Sequence, residues 1–349
     1  MSQANELIPL LSDLVAIDSI NPDLVPGAAG EAAIAVYVAD WLARAGLDVP
    51  FDEPARGRPN VVGIVRGTGG GRALMLNAHT DTVGVAGMTN PFTPRVEGNR
   101  LYGRGAYDMK GSLAACMLAA VRAKAMKLRG DVIVTAVADE KYASIGTASI
   151  VKKWRADAAI VTEPSHLNLC VAHRGFVWLE VETHGIAAHG SRPELGIDAI
   201  AKMGHVLVAL EQLDRDLRAA PTHTLLRSGS LHASLISGGQ ELSSYPARCR
   251  LEVERRTIPG ETPAIVEGQI QAILTKLAAA DPQCKAEVRM GLVRDPFEIA
   301  QDAPIVTLLQ AQIAQHLGRT PKIYGDQPWM DTAILSAAGI PSVIFGPTG

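Results

Sequence analysis

RALMLNAHTDTVG, residues 72–84, is the stretch from which the rest of the chain is read. Its apolar run predicts a buried strand. That strand finishes on His79 and Asp81, two positions apart and therefore on one face of an extended backbone. An isolated His-x-Asp is also what a turn looks like when the Asp caps the next segment and the His is a satisfied interior residue. What neighbouring strands carry at their own ends decides between the two.

Outward from this strand, up to about residue 173, β-branched runs alternate with helical patterns: PNVVGIV (59–65), the helix GSLAACMLAAVRAKAM (111–126), DVIVTAVAD (131–139) and DAAIVTEP (157–164). Such alternation predicts an α/β fold with a mostly parallel sheet flanked by helices, and sheets of that kind gather ligands at the carboxyl ends of their strands. From 174 to 290 the order changes to strand 175–184, helix 196–213, strands 231–239 and 248–257, helix 262–280 and strand 285–293. This β-α-β-β-α-β order predicts an inserted ferredoxin-like α+β domain. Helix and strand resume with APIVTLLQAQIAQHLG and PSVIFGP, so residues 1–173 plus 291–349 are expected to form one discontinuous domain around the 174–290 insertion.

The bulk numbers narrow the chemistry. With 349 residues, 47% hydrophobic and 20% charged, the chain has a globular balance, and a net charge of −3 gives no basic field for nucleic acid or anionic membrane. The apolar run Leu113–Val121 is too short to cross a bilayer. Leu7, Leu10, Leu11, Leu14 and Val15 are spaced as an amphipathic helix and not as a signal peptide, so a cytoplasmic location is expected. Cys116, Cys170, Cys249 and Cys284 form no CxxC pair and read as reduced core thiols.

Acidic groups recur where strands run out: Asp108 in GRGAYDMKG, Asp139 and Glu140 in VADEK, Glu163 in VTEP. Each has a bland reading, as a helix cap, a solvated loop charge or a strand end. Together, converging carboxylates repel one another unless a cation neutralises them. His79, Asp108 and Glu163 make a one-His, two-carboxylate set with an open fourth position, and Asp81 would hold the His79 imidazole in its tautomer.

HTDTV, GRGAYDMKG, DE followed by IGT, VTEP, AAHGSRPELGIDAI and RRTIPGE, in this order over nearly the whole chain, resemble the metallopeptidase family of acetylornithine deacetylase, succinyl-diaminopimelate desuccinylase, aminoacylase and carboxypeptidase G. ELSSYPARC and ERRTIPGE are most similar to acetylornithine-deacetylase-type deacylases. The resemblance implies two zinc ions bridged by Asp108, one of them held also by His79 and Glu163, with Glu140 as the general base for an activated water. Cobalt or manganese could replace zinc. It further implies that His189 reaches a partner subunit's site, that Arg256 grips a substrate carboxylate, and that the inserted domain is a lid through which a homodimer forms. Gly105, Lys110 and Gly111 would shape the Asp108 loop; Asp331 resembles an Asp near the site and receives no role.

Two positions depart from that pattern. Where the family has an acidic ligand after the general base, this chain has Lys141, whose ammonium has no lone pair for a metal. Family members also continue past FGP to a ligating His, whereas this sequence ends at Gly349. The expectation is one ion, held tightly, and weak or absent turnover. Three accounts of Lys141 stand open: a changed residue in an otherwise two-zinc enzyme, a single-metal form in which the ammonium replaces part of the positive charge, and a carbamylated lysine. The expected function is hydrolysis of N-acyl amino acids, acetylornithine-like ahead of succinyl-diaminopimelate or dipeptides, and the alternative is a catalytically silent binding or assembly homologue. Aromatic residues at 4% favour a small aliphatic acyl group.

Overall fold

The computed structural model describes residues 4–349. The chain divides into two compact units: the chain up to Val171 with Ile299–Tyr324 and Met330–Gly349, and Ala172–Glu298 with Gly325–Trp329. No sequence signal marked the short return of Gly325–Trp329 to the second unit. A buried tryptophan explains it: Trp329 stands edge-on to Phe176, and its Nε1 donates to the Asp295 carbonyl at 3.0 Å.

The first unit is α/β. Its sheet runs Phe51–Ala55, Arg58–Val65, Val132–Val137, Leu74–His79, Ala158–Val161, Ser342–Ile344, Leu169–His173. The four strands from Val132–Val137 to Ser342–Ile344 are mutually parallel, and the strands on either flank pair antiparallel. Arg58–Val65 and Val132–Val137 are buried at every position, as strands covered on both faces must be. Helices supply the cover. Ala32–Arg44 presents Ile34, Val38 and Leu42, four residues apart, and Gly111–Met126 presents Leu113, Met117 and Ala120 to the same core as Leu10 and Leu14 of Ala4–Ala16.

In the second unit the elements follow as Gly175–His184, Ala199–Ala219, Ser230–Gly238, Arg248–Thr257, Pro263–Ala280 and Lys285–Arg294. Its antiparallel sheet has the order Ser230–Gly238, Arg248–Thr257, Gly175–His184, Lys285–Arg294, the ferredoxin-like arrangement. Met203, Val206 and Leu210 on one helix and Val266, Ile270 and Leu274 on the other bury against Val177, Leu179, Val181, Leu251 and Val253. Both helices begin on a side-chain cap: Asp198 Oδ1 accepts from the Ala201 N–H at 2.9 Å, and Thr262 Oγ1 accepts from the Ile265 N–H at 3.3 Å. All four cysteines are free and buried. Among the described residues no helix is long and apolar enough to cross a membrane.

Candidate metal centre

Three adjacent parallel strands of the first unit aim their carboxyl ends at one place. His79 is the last residue of Leu74–His79, Glu140 lies three residues beyond Val132–Val137, and Glu163 lies two beyond Ala158–Val161. Asp108 comes from the irregular turn Ala106–Lys110, extended at Asp108 itself, that leads into the Gly111–Met126 helix. Gly105 enters that turn at φ +80°, left-handed backbone that favours glycine, and a Cβ on Gly111 would stand 2.7 Å from the Ala106 carbonyl oxygen. Lys110 is buried and donates to the Ile17 carbonyl at 2.7 Å; burial lowers its ammonium to about 8.

The side chains meet closely. His79 Nε2 lies 2.9 Å from Asp108 Oδ1, 3.4 Å from Glu163 Oε1 and 3.8 Å from Glu140 Oε2. Lys141 Nζ lies 3.0 Å from Asp108 Oδ1 and 2.9 Å from Glu140 Oε2, with 16% of its side chain exposed. The other His79 nitrogen, Nδ1, is 2.9 Å from the Asp81 carbonyl oxygen and 3.4 Å from Asp81 Oδ1. The backbone oxygen of Asp81 is therefore the nearer partner of the ring, where the sequence pointed to the carboxylate. The carboxylate is otherwise engaged: Oδ1 accepts from the Glu140 N–H at 3.1 Å, and Oδ2 accepts from the Lys141 N–H at 3.0 Å and from Asn21 Nδ2 at 2.8 Å. Asp81 thus pins the segment that carries Glu140 and Lys141.

Behind this segment lies an ion network that the sequence reading missed. Arg58 pairs with Glu31 at 2.6 Å, Asp139 at 2.9 Å and Asp23 at 2.5 Å. Asn21 Nδ2 links it forward, donating to Asp139 Oδ1 at 3.0 Å as well as to Asp81. Asp139 adopts φ +69°, a left-handed conformation that a non-glycine residue holds only when its surroundings fix it. Its Oδ2 accepts from the Ala143 N–H at 3.2 Å, closing the loop, and a Cβ on Gly146 would sit 2.4 Å from the Ala138 carbonyl. The available signal was an arginine opening RPNVVGIV, a charge at the mouth of a strand with no other polar position but Asn60.

Burial sets the electrostatics. It pushes Glu163 up to about 8 despite opposing pulls from Lys141 and His79. Asp108 also suffers desolvation, but the His79 and Lys141 contacts outweigh it and hold that carboxyl well below the usual range. Lys141 loses hydration too, yet Glu140, Glu163 and Asp108 keep its ammonium charged far above its ordinary value. The Asp81, Asp108 and Glu140 carboxylates face one ammonium, that of Lys141, with the buried Glu163 carboxyl beside them.

His79, Glu140 and Glu163 each offer a ligand atom within 4.8 Å of the others, a group that could hold one divalent ion. Two ligand atoms at ~2.0–2.1 Å from a tetrahedral ion are roughly 3.3 Å apart. The His79 nitrogen stands at 2.9 and 3.4 Å from Asp108 and Glu163 oxygens, close to that spacing. The Lys141 ammonium lies 3.0 Å from the same Asp108 oxygen that faces His79. Another His and carboxylate group, Glu182, His184 and Glu287 in the second unit, is already compensated by Arg248 and Arg289.

The remaining candidates are placed as follows. His189 belongs to the second unit, is exposed, and shares a hydrogen bond of 2.8 Å between Nδ1 and Ser191 Oγ. Arg256, also in the second unit, donates from Nε to Glu254 Oε1 at 2.6 Å and lies over the Phe176 ring. Asp331 is buried in the first unit; Oδ2 accepts from Thr147 Oγ1 at 2.6 Å, and burial, reinforced by Glu140, pushes it up to about 7.

Known proteins share this chain's pattern. Acetylornithine deacetylase of Myxococcus xanthus is 31% identical over 308 residues, 85% of this chain and 78% of that protein. N-formyl-4-amino-5-aminomethyl-2-methylpyrimidine deformylase of Halalkalibacterium halodurans is 28% identical across 98% of this chain and 87% of its own length. Among solved structures, the YXEP protein of Bacillus subtilis, a dinuclear metal-binding peptidase of the M20 family, superposes with a TM-score of 0.73 at 16% identity, over 98% of this chain and 88% of that one. The sequence pattern of peptidase family M20/M25/M40 matches residues 75–349, which contain His79, Asp108, Glu140 and Glu163, and the chain belongs to that family.

Proposed function

We propose that this chain is a zinc-dependent amidohydrolase of N-acyl amino acids, with acetylornithine-like substrates ahead of succinyl-diaminopimelate, dipeptides and formyl amides. Metal-dependent amide hydrolysis is the family's chemistry, and the observation that carries it here is His79 Nε2 within 3.8 Å of Asp108, Glu140 and Glu163 carboxylates at three strand ends and one helix start. One divalent ion would be held by His79, Asp108 and Glu163, and when bound it supplies a Lewis acid for the amide carbonyl and acidifies a water molecule.

The chain's own groups do the rest. With its Nδ1 hydrogen on the Asp81 carbonyl, a neutral His79 would turn the Nε2 lone pair to the centre. Glu140, its Oε2 held by Lys141, would be the general base that takes up a water proton and returns it to the leaving amine. Arg256 would bind the substrate carboxylate, its fork steadied by Glu254 and Phe176, and His189 would polarise the carbonyl from the partner subunit. A homodimer through the second unit is supported by its edge strand Ser230–Gly238, on which Leu235 is 64% and Ile236 55% exposed, with Leu242 fully exposed beyond it. The four free thiols support a reducing, cytoplasmic location.

A silent binding homologue is the second reading, favoured by the ion pair between Lys141 and Glu140. Release of free amine from N-acetylornithine, N-succinyl-diaminopimelate, a dipeptide and a formyl amide by the zinc-loaded protein tests both. Turnover of at least one that is lost with chelator supports the enzyme; no turnover of any supports the binder.

A further inference from the structure

We infer that the Lys141 ammonium is the second cation of this centre, a fixed organic charge that neutralises Asp108 and Glu140 and closes the site to a second metal ion. The inference deepens the amidohydrolase reading and rests on it. Asp108 Oδ1 is shared between two poles, His79 Nε2 at 2.9 Å and Lys141 Nζ at 3.0 Å, so the carboxylate bridges a metal-binding nitrogen and an ammonium. The ammonium is built in. The Lys141 backbone N–H is tied to Asp81 Oδ2 at 3.0 Å, Asp81 is tied through Asn21 to Asp139, and Asp139 to the buried Arg58. Two of three ammonium hydrogens meet Asp108 and Glu140, a division of charge that a mobile surface lysine would not keep.

Charge bookkeeping agrees. A second divalent ion would meet both the first ion and an ammonium already set against Asp108 and Glu140, so it is opposed more strongly than the first. The same contacts argue against a carbamylated lysine, which would set a third anion against Glu140 and Asp108 at hydrogen-bond distance. Lys141 would thus limit this chain to one ion, unlike the dinuclear M20 peptidase of Bacillus subtilis.

The test is a count of metal. The full chain is saturated with cobalt, desalted and measured by mass spectrometry of the metal, and the number of cobalt environments is read by electron paramagnetic resonance. One equivalent in the natural chain and in Lys141→Arg, with a second taken up by Lys141→Glu at saturating cobalt, is the expected result. Two equivalents in the natural chain overturn the inference while leaving the hydrolase reading intact, as does equal stoichiometry in the Arg and Glu variants. No bound cobalt overturns both. The natural chain's count stands even where a variant does not fold.

Discussion

Replacing Arg58 with methionine isolates the strut behind the site. The side chain is 9% exposed and sets its guanidinium against Glu31 at 0% and Asp139 at 1% exposure. Methionine fills much of the volume but leaves two buried carboxylates with no counter-charge, and breaking such a pair costs about 3–5 kcal/mol. That is a large share of the ~5–15 kcal/mol that holds a domain folded. The loss depends on pH in a definite direction. Burial already raises Glu31, and Arg58 opposes the rise. Without Arg58 the folded state holds the Glu31 proton more tightly than the unfolded chain, so the variant gains stability as pH falls and loses it as pH rises above the carboxyl range. Urea unfolding at pH 5 and pH 8 measures both: the deficit should be several kcal/mol at pH 8 and smaller at pH 5. Because Asp139 leads directly into Glu140, kcat should fall more than KM changes in whatever fraction stays folded. A deficit below ~1 kcal/mol, equal at both pH values, would refute the reasoning, since that is the range of an exposed ion pair.

Other consequences are as direct. Glu140→Gln keeps the shape of the side chain and removes its basicity, so turnover should drop ~10²–10⁴-fold while the bound metal, counted on the same sample, is unchanged. Leu235→Lys with Ile236→Lys charges the exposed edge strand, and light scattering should then report a monomer with the fold retained by circular dichroism. Asp52 is buried, yet hydrogen bonds from Lys153, Asn60 and Ser149 outweigh desolvation and hold its carboxyl below the ordinary value. Its contribution is therefore present above about pH 4, the unfolded value, and is lost as pH falls through the lower folded one. Acid titration of Asp52→Asn should show lower stability at pH 7 and a shallower loss below pH 4.

The placement of His79, Glu140 and Glu163 was readable because strand periodicity and the parallel-sheet rule fix where strand ends lie, and both follow from local sequence. The second unit was readable for the same reason: its six elements alternate apolar and polar positions with helix and strand periods. Arg58, Glu31 and Asn21 were not, because they come from three separate segments and meet only through tertiary contact. Nothing local distinguishes Glu31, at a helix start, from a solvated charge. The division of labour in Asp81 was also hidden, since sequence names a residue but does not tell its carbonyl from its carboxylate. Lys141 was legible as a lysine out of place. Its function required the structure, which shows an ammonium between two carboxylates and not one turned to solvent.

Anomalous diffraction at the zinc edge, from crystals of the full chain grown with zinc, tests the central claim most directly. The account requires a single peak about 2.0–2.2 Å from His79 Nε2 and from oxygens of Asp108 and Glu163, with the Lys141 ammonium still against Asp108. A first unit with no peak at His79, or with a second peak where the ammonium lies, would contradict it.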